Sequence, residues 1–196
     1  MAKATYAVIG DPIAHSLSPL IHQTIYEQEG IAAAYLPVRV ARGGLPAFLQ
    51  AAGTFDVKGF NATMPHKQVI LPYLKGLDPE ARRFGSANTL KRVEGGYMGY
   101  TTDGPGLKRA LEEGGISFYG RRILVLGAGG VTPTVAVTAA LAGAQAMTIL
   151  NRHAGKAEAM AGLTSYPDIP VFQNRLRHMT PEINQFEQPG PISLRG

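Results

Sequence analysis

A chain of 196 residues, 45% of them apolar and 17% charged, can build one large or two small packed domains, and that balance excludes disorder over most of its length. It contains no cysteine, which excludes disulfides and thiolate metal sites and accords with a reducing, cytoplasmic setting. The formal charge of +5 comes from scattered basic pairs, Arg82 with Arg83 and Arg121 with Arg122, and forms no stripe interleaved with aromatics; no nucleic-acid surface is expected.

At the N-terminus, MAKATYAVIGDPIAHS carries a Lys and a short apolar run that Asp11 and Pro12 interrupt, so no signal-peptide core forms and export is not expected. A βα rhythm follows: YAVIG, a helix from about Pro19 to Glu29, AAYLPVRV, a short helix near Leu45 to Ala52, and VKGFNAT. Such alternation predicts a small, mostly parallel α/β sheet. After a helical DPEARRFG, the segment NTLKRVEGGYMGYTTD reads as two strands turning at Glu94-Gly95-Gly96. GPGLKRALEEGG has helical spacing and stops at a Gly pair, a helix end and a domain boundary.

A second unit begins at Arg121, with RRILVLGAGG as strand into glycine loop, PTVAVTAALAGA as helix and AMTILNR as strand. Pro133 suits the first turn of that helix, where its missing N–H would have no partner anyway. From Ile123 to Asn151 there is no charge, and the stretch is long enough on paper to cross a bilayer. The glycine cluster, Pro133, the recurring Thr and the dominance of Ala over Leu favour a buried βαβ unit, and no membrane span is expected. A helix near Gly155 to Gly162 and an apolar IPVF come next, and the remainder loses periodicity and reads as irregular.

Two places carry chemistry. The loop Gly127, Ala128, Gly129, Gly130 leads from strand to helix, so backbone N–H groups can approach a pyrophosphate at the positive end of the helix. Thr132 stands where the usual fingerprint has its third glycine. The next strand ends in Asn151-Arg152-His153, with Lys156 a turn further on. No carboxylate is there to receive a ribose 2′-OH, and the cations favour a 2′-phosphate, hence NADP. The other place is FNATMPHK, where a strand end turns into a helix and Asn61, Thr63 and Lys67 can converge on a cleft at the carboxyl end of the strands. Its plainer reading is a capped helix start with an exposed lysine. His66 has no second metal ligand or nucleophile to pair with, and no metal site is expected.

The ordered motifs GDPIAHSLSP, FNATMPHK, GSANTL, GYTTDGPG, VLGAGG and NR, spanning residues 6 to 156, resemble those of shikimate dehydrogenase. The resemblance implies an α/β protein of three parts: a shikimate-binding substrate domain at 1–103, a connecting helix and linker at 104–120, and a partial Rossmann NADP-binding domain at 121–196. It also implies NADP-dependent reduction of 3-dehydroshikimate to shikimate, on the way to chorismate and aromatic amino acids. Ser16 and Ser18 would hold the substrate carboxylate, and Thr63, Asn88 and Asp103 its ring hydroxyls. Lys67 would form the catalytic pair with Asp103. This agrees with the chemistry, because hydride addition to a ketone makes an alkoxide that needs a cation to stabilise it and an acid to protonate it. Ser18, before Pro19, also reads as a helix N-cap, a role compatible with ligand binding.

Departures from the family pattern are Thr101 where Asn is usual, Pro133 near the usual Arg, and GSANT for GAVNT. Family members also continue through a second Rossmann half that contacts the nicotinamide, and through helices that return to the substrate domain. This chain shows neither motif set, so poor turnover on its own, an apolar uncovered face and self-association are expected. A quinate/shikimate dehydrogenase and a non-catalytic module that binds shikimate or nucleotide are the alternatives.

Overall fold

A computed structural model describes residues 3–151. The chain divides into two compact units, one up to Gly106 and the other from Leu107. The first holds β1 (Ala4–Gly10), α1 (Ser18–Gln28), β2 (Ala33–Arg39), α2 (Leu45–Thr54), β3 (Gly59–Ala62), α3 (His66–Val69), β4 (Gly76–Leu77), α4 (Pro79–Phe84), β5 (Thr89–Val93) and β6 (Gly96–Tyr100). The helix α5 (Asp103–Glu113) starts in the first unit and runs into the second, which adds β7 (Arg122–Leu126), α6 (Thr132–Leu141) and β8 (Ala146–Leu150).

The first unit is a six-stranded mixed sheet in the order β2-β1-β3-β5-β6-β4. Strands β1, β2 and β3 are mutually parallel, as the βα rhythm predicts, and β5 and β6 form the expected antiparallel hairpin, whose first strand, β5, pairs antiparallel with β3. The two-residue β4, parallel to β6, was not legible: a pair of residues carries no periodicity. At the hairpin, Gly95 takes a positive φ of 70°, the conformation such a tight turn demands.

Because β1 sits between β2 and β3, the chain leaves β1 toward one side and returns on the other. Crossovers of one hand then place α1 and α2 on opposite faces. Burial agrees: Ala7 and Ile9 pack with Val40, Leu45 and Ala52, with Phe48 and Leu49 of α2 against them, while the alternate residue Val8 joins Tyr35, backed by Tyr6 and by Tyr26 of α1. α4 is the best capped helix of the unit. Asp78 accepts from the Ala81 N–H at 2.7 Å, and Gly85 closes it in the left-handed conformation.

In the second unit β7 and β8 pair in parallel, joined through α6. The uncharged stretch is thus a βαβ unit, and among the described residues no helix is long and apolar enough to cross a membrane. Pro133 lies in the first turn of α6 as its sequence position requires. Leu124 and Leu126, alternate residues of β7, are 59% and 69% exposed and form an apolar strip. The expected helix at 155–162, the IPVF segment and the tail lie outside the described residues.

Candidate functional site

The reversal of direction at β1 makes a switch point, and open α/β sheets bind ligands in the crevice beyond the carboxyl ends of the strands at such a point. A cleft of about 450 Å³ lies there, lined among others by Ser16, Ser18, His22, Thr63, Lys67 and Asn88. Asn61 and Thr63 reach it from β3 and its end because residues two apart share a face of a strand. Ser16 and Ser18 come from the loop after β1 and the first residue of α1. Five of the six residues named for substrate and catalysis are therefore brought to one cleft.

Asp103, the sixth, is tied to two of them. Lys67 Nζ donates to Asp103 Oδ2 at 2.7 Å, and Asn88 Nδ2 donates to Asp103 Oδ1 at 2.7 Å, so each carboxylate oxygen has its own donor. Asn88 is itself held: its Oδ1 accepts from the Thr102 N–H and from Thr89 Oγ1, both at 3.0 Å, and its Nδ2 also donates to Thr102 Oγ1 at 2.9 Å. The Lys67–Asp103 pair is partly exposed, 36% and 28%, which leaves the ammonium accessible to a ligand. Gly104 follows Asp103 and is buried. A Cβ there would strike the Phe84 ring, with Cε1 at 2.6 Å, so glycine is what lets the start of α5 approach α4 closely.

Two plainer readings of these motifs are corrected. Ser18 is not an N-cap: α1 begins at Ser18 itself, Leu17 occupies the capping position, and no side chain caps the helix. The Ser16 hydroxyl instead accepts from the Ser18 N–H at 3.3 Å. Likewise α3 follows Pro65 without a side-chain cap, and Lys67 is a half-buried ion-paired residue, not an exposed lysine at a capped start. Pro19 lies in the first turn of α1 and has no N–H for a side chain to cap, whereas in α3 Pro65 holds the capping position itself and offers no side-chain acceptor. His66 is core: it is 1% exposed, and its Nε2 lies 2.6 Å from the Val40 carbonyl. Among the described residues no cluster of His, Asp or Glu could hold a metal ion.

Sequence reasoning missed Tyr35, His22, Thr89 and Thr102. The buried Tyr35 hydroxyl donates to Asn61 Oδ1 at 2.6 Å, and Asn61 Nδ2 donates to the Asn88 carbonyl and to Thr89 Oγ1, both at 3.1 Å. Burial, with the nearby Tyr26, pushes the Tyr35 phenol up to about 12, so it stays a donor at any ordinary pH. His22 stacks on its ring, centroids 4.1 Å apart and planes within 8°. Only the alternation of AAYLPVRV could have signalled that Tyr35 faces α1. Thr101, at the departure from the family's Asn, is buried, and its hydroxyl makes no hydrogen bond among the described residues.

In the second unit the glycine loop runs from β7 to α6. Gly127 takes a φ of 102°, which requires glycine, and no described residue stands within 4 Å of where a Cβ of Gly129 or Gly130 would lie. Thr132, in place of the third glycine, is buried and donates to the Gly127 carbonyl at 3.1 Å, closing the loop on itself. The Ala128 N–H donates to Asn151 Oδ1 at 3.4 Å, so the end of β8 lies beside the loop. Arg152 and Lys156 lie outside the described residues.

Residues 8–90 match the family model of the shikimate dehydrogenase substrate binding domain. The chain is 39% identical over 203 residues to a shikimate dehydrogenase (NADP(+)) of Geobacter sulfurreducens, covering 100% of this chain and 71% of that protein. It spans little more than half of several other curated relatives, 54% and 56% of two of them. Among solved structures it resembles shikimate 5-dehydrogenase of Thermus thermophilus in complex with NADP(H) and shikimate, with a TM-score of 0.74 and 37% identity, covering 82% of this chain and 60% of that one. It also resembles the ligand-free 5-ketofructose reductase of a Gluconobacter strain, with a TM-score of 0.81 and 31% identity, covering 92% of this chain and 64% of that one.

Proposed function

This chain belongs to the shikimate dehydrogenase family, and we propose that its first unit binds shikimate and 3-dehydroshikimate and that the protein interconverts them with NADP in the cytoplasm. The observation that carries the reading is the array in which Lys67 and Asn88 share Asp103 at 2.7 Å each, Lys67 and Asn88 lining a cleft that Ser16 and Ser18 also line. The two serine hydroxyls suit a carboxylate, and Thr63, Asn88 and Asp103 suit ring hydroxyls, being able between them to donate and to accept. Lys67 would stabilise the negative charge that develops on the reacting oxygen and give it a proton in the reducing direction, taking it back in the other. Asp103 would hold the ammonium in place.

The glycine loop fits the pyrophosphate of a dinucleotide: open space at Gly129 and Gly130 lets a ligand come close to backbone N–H groups at the start of α6. When bound, the cofactor supplies or accepts the hydride. Gly127, Ala128, Gly129 and Gly130 would hold its phosphates and Asn151 the end of the adenosine, with Arg152 and Lys156 taking the 2′-phosphate. NADPH is expected to bind more tightly than NADH by about 1–3 kcal/mol, the worth of hydrogen bonds to charged groups. Fluorescence titration of both cofactors checks this. An Arg152→Ala change should remove most of the difference. Equal affinities, or a variant that weakens both alike, would overturn the choice of NADP.

A further inference from the structure

We propose that His22 is a ligand-binding residue of the cleft that takes up a proton from solvent when a carboxylate ligand binds, supplying the positive charge that Ser16 and Ser18 lack. The proposal rests on the shikimate reading of the same cleft. Ser18 and His22 are four residues apart on α1, so they lie on one face of the helix a single turn apart, and both line the cleft.

Among the described residues, the charges around the cleft are few. Among the described residues, Lys67 is the one lysine or arginine lining the cleft, and its charge is matched by Asp103 at 2.7 Å. Asp11, on the loop after β1, is matched by Arg39 at 2.7 Å. From β2, Tyr35 presents a phenol that stays neutral and donates to Asn61, and from α1 itself Tyr26 lies 6.0 Å from the His22 ring. From the loop, His15 is the other imidazole of the lining. A bound carboxylate therefore adds an uncompensated negative charge unless a histidine is protonated.

His22 is placed to respond. Burial holds its pKa below the ordinary histidine value, so the free protein keeps it neutral at pH 7. Its ring lies flat on Tyr35, and an imidazolium stacked on an aromatic face is favourably placed. An anion within ~4–6 Å favours the charged form and raises the pKa. The sign follows from linkage: if binding raises the pKa, the protonated form binds more tightly, so affinity for the anion grows as pH falls through the bound-state pKa toward the free-state value.

The test is calorimetric titration of the full chain with shikimate near pH 6, in two buffers of different ionisation enthalpy. The wild type should take up a measurable fraction of a proton, and affinity should tighten several-fold from about pH 7.5 to 5.5. His22→Gln should abolish both, and the methyl ester of shikimate should bind without proton uptake. Absence of uptake in the wild type, or uptake that survives His22→Gln, overturns the proposal. If His22→Gln does not fold, the His22 imidazole proton resonance of the wild type gives the same answer: its titration midpoint must rise by about one unit on saturation with shikimate, tenfold in affinity. An unchanged midpoint overturns it. A flat titration with shikimate at every pH is a different result, since it overturns the shikimate reading beneath.

Discussion

Replacing Lys67 with alanine is expected to lower kcat by at least about a hundredfold while shikimate affinity changes far less. The measurement needs a protein of full family length, such as this sequence carried into the remainder of the Geobacter sulfurreducens relative, of which it covers 71%. The split between the two constants follows from where the groups stand. Ser16 and Ser18, proposed to hold the carboxylate, stand on the loop after β1 and at the start of α1, whereas Lys67 stands on α3 and meets Asp103 at 2.7 Å. Removing the ammonium takes away charge stabilisation and the proton at the reacting oxygen, and leaves the serine hydroxyls untouched. It also leaves Asp103 Oδ2 without its donor, so some loss of affinity for an anionic substrate accompanies the loss of rate. A variant with wild-type kcat would reduce Lys67 to a structural ion-pair partner.

Asn88→Ala should be the more damaging change for binding. Asn88 holds the Thr102 N–H, the Thr89 hydroxyl and Asp103 at once, with bonds of 3.0, 3.0 and 2.7 Å. Its loss leaves a backbone donor and a carboxylate oxygen without partners. We expect about 0.5–1.5 kcal/mol less stability in urea unfolding, the net worth of such bonds where water can replace the lost partner. Shikimate affinity should fall roughly tenfold or more, the equivalent of one lost charge-assisted bond. Asn88→Asp should be worse for affinity than alanine, because it sets a second carboxylate against Asp103 in a cleft that must accept an anion. A stable alanine variant with unchanged affinity would show that the Thr102–Asn88–Asp103 bonds position nothing.

Much of this was legible because the relevant patterns are local. The βα rhythm fixed β1 to β3, and the spacing of Asn61, Thr63 and Lys67 placed three polar groups at one strand end. What a local pattern cannot carry is pairing across the sheet. Asn88 is 27 residues from Asn61 in sequence, yet Asn61 Nδ2 bonds its carbonyl at 3.1 Å, and nothing in either motif announces that contact. Tyr35 was hidden for a similar reason: its hydroxyl acts 26 residues away, while its ring reads as ordinary strand core. The capping expectations failed at Ser18 and before α3 because the capping positions fall on Leu17 and Pro65, neither of which has a side-chain acceptor. Sequence signals for caps rank residue types; they do not say which of several nearby positions starts the helix.

The most direct test of the account is a shikimate titration of the chain followed residue by residue in amide NMR spectra. The cleft predicts saturable shifts at Ser16, Ser18, Thr63, Lys67 and Asn88, with the Asn88 side-chain amide among the largest because it bonds the same carboxylate as Lys67. Ser16→Ala together with Ser18→Ala should weaken binding of shikimate and leave that of its methyl ester nearly unchanged. Shifts that do not saturate, or saturation by an uncharged polyhydroxy ketone such as 5-ketofructose with none by shikimate, would contradict the assignment of this cleft to an acid substrate.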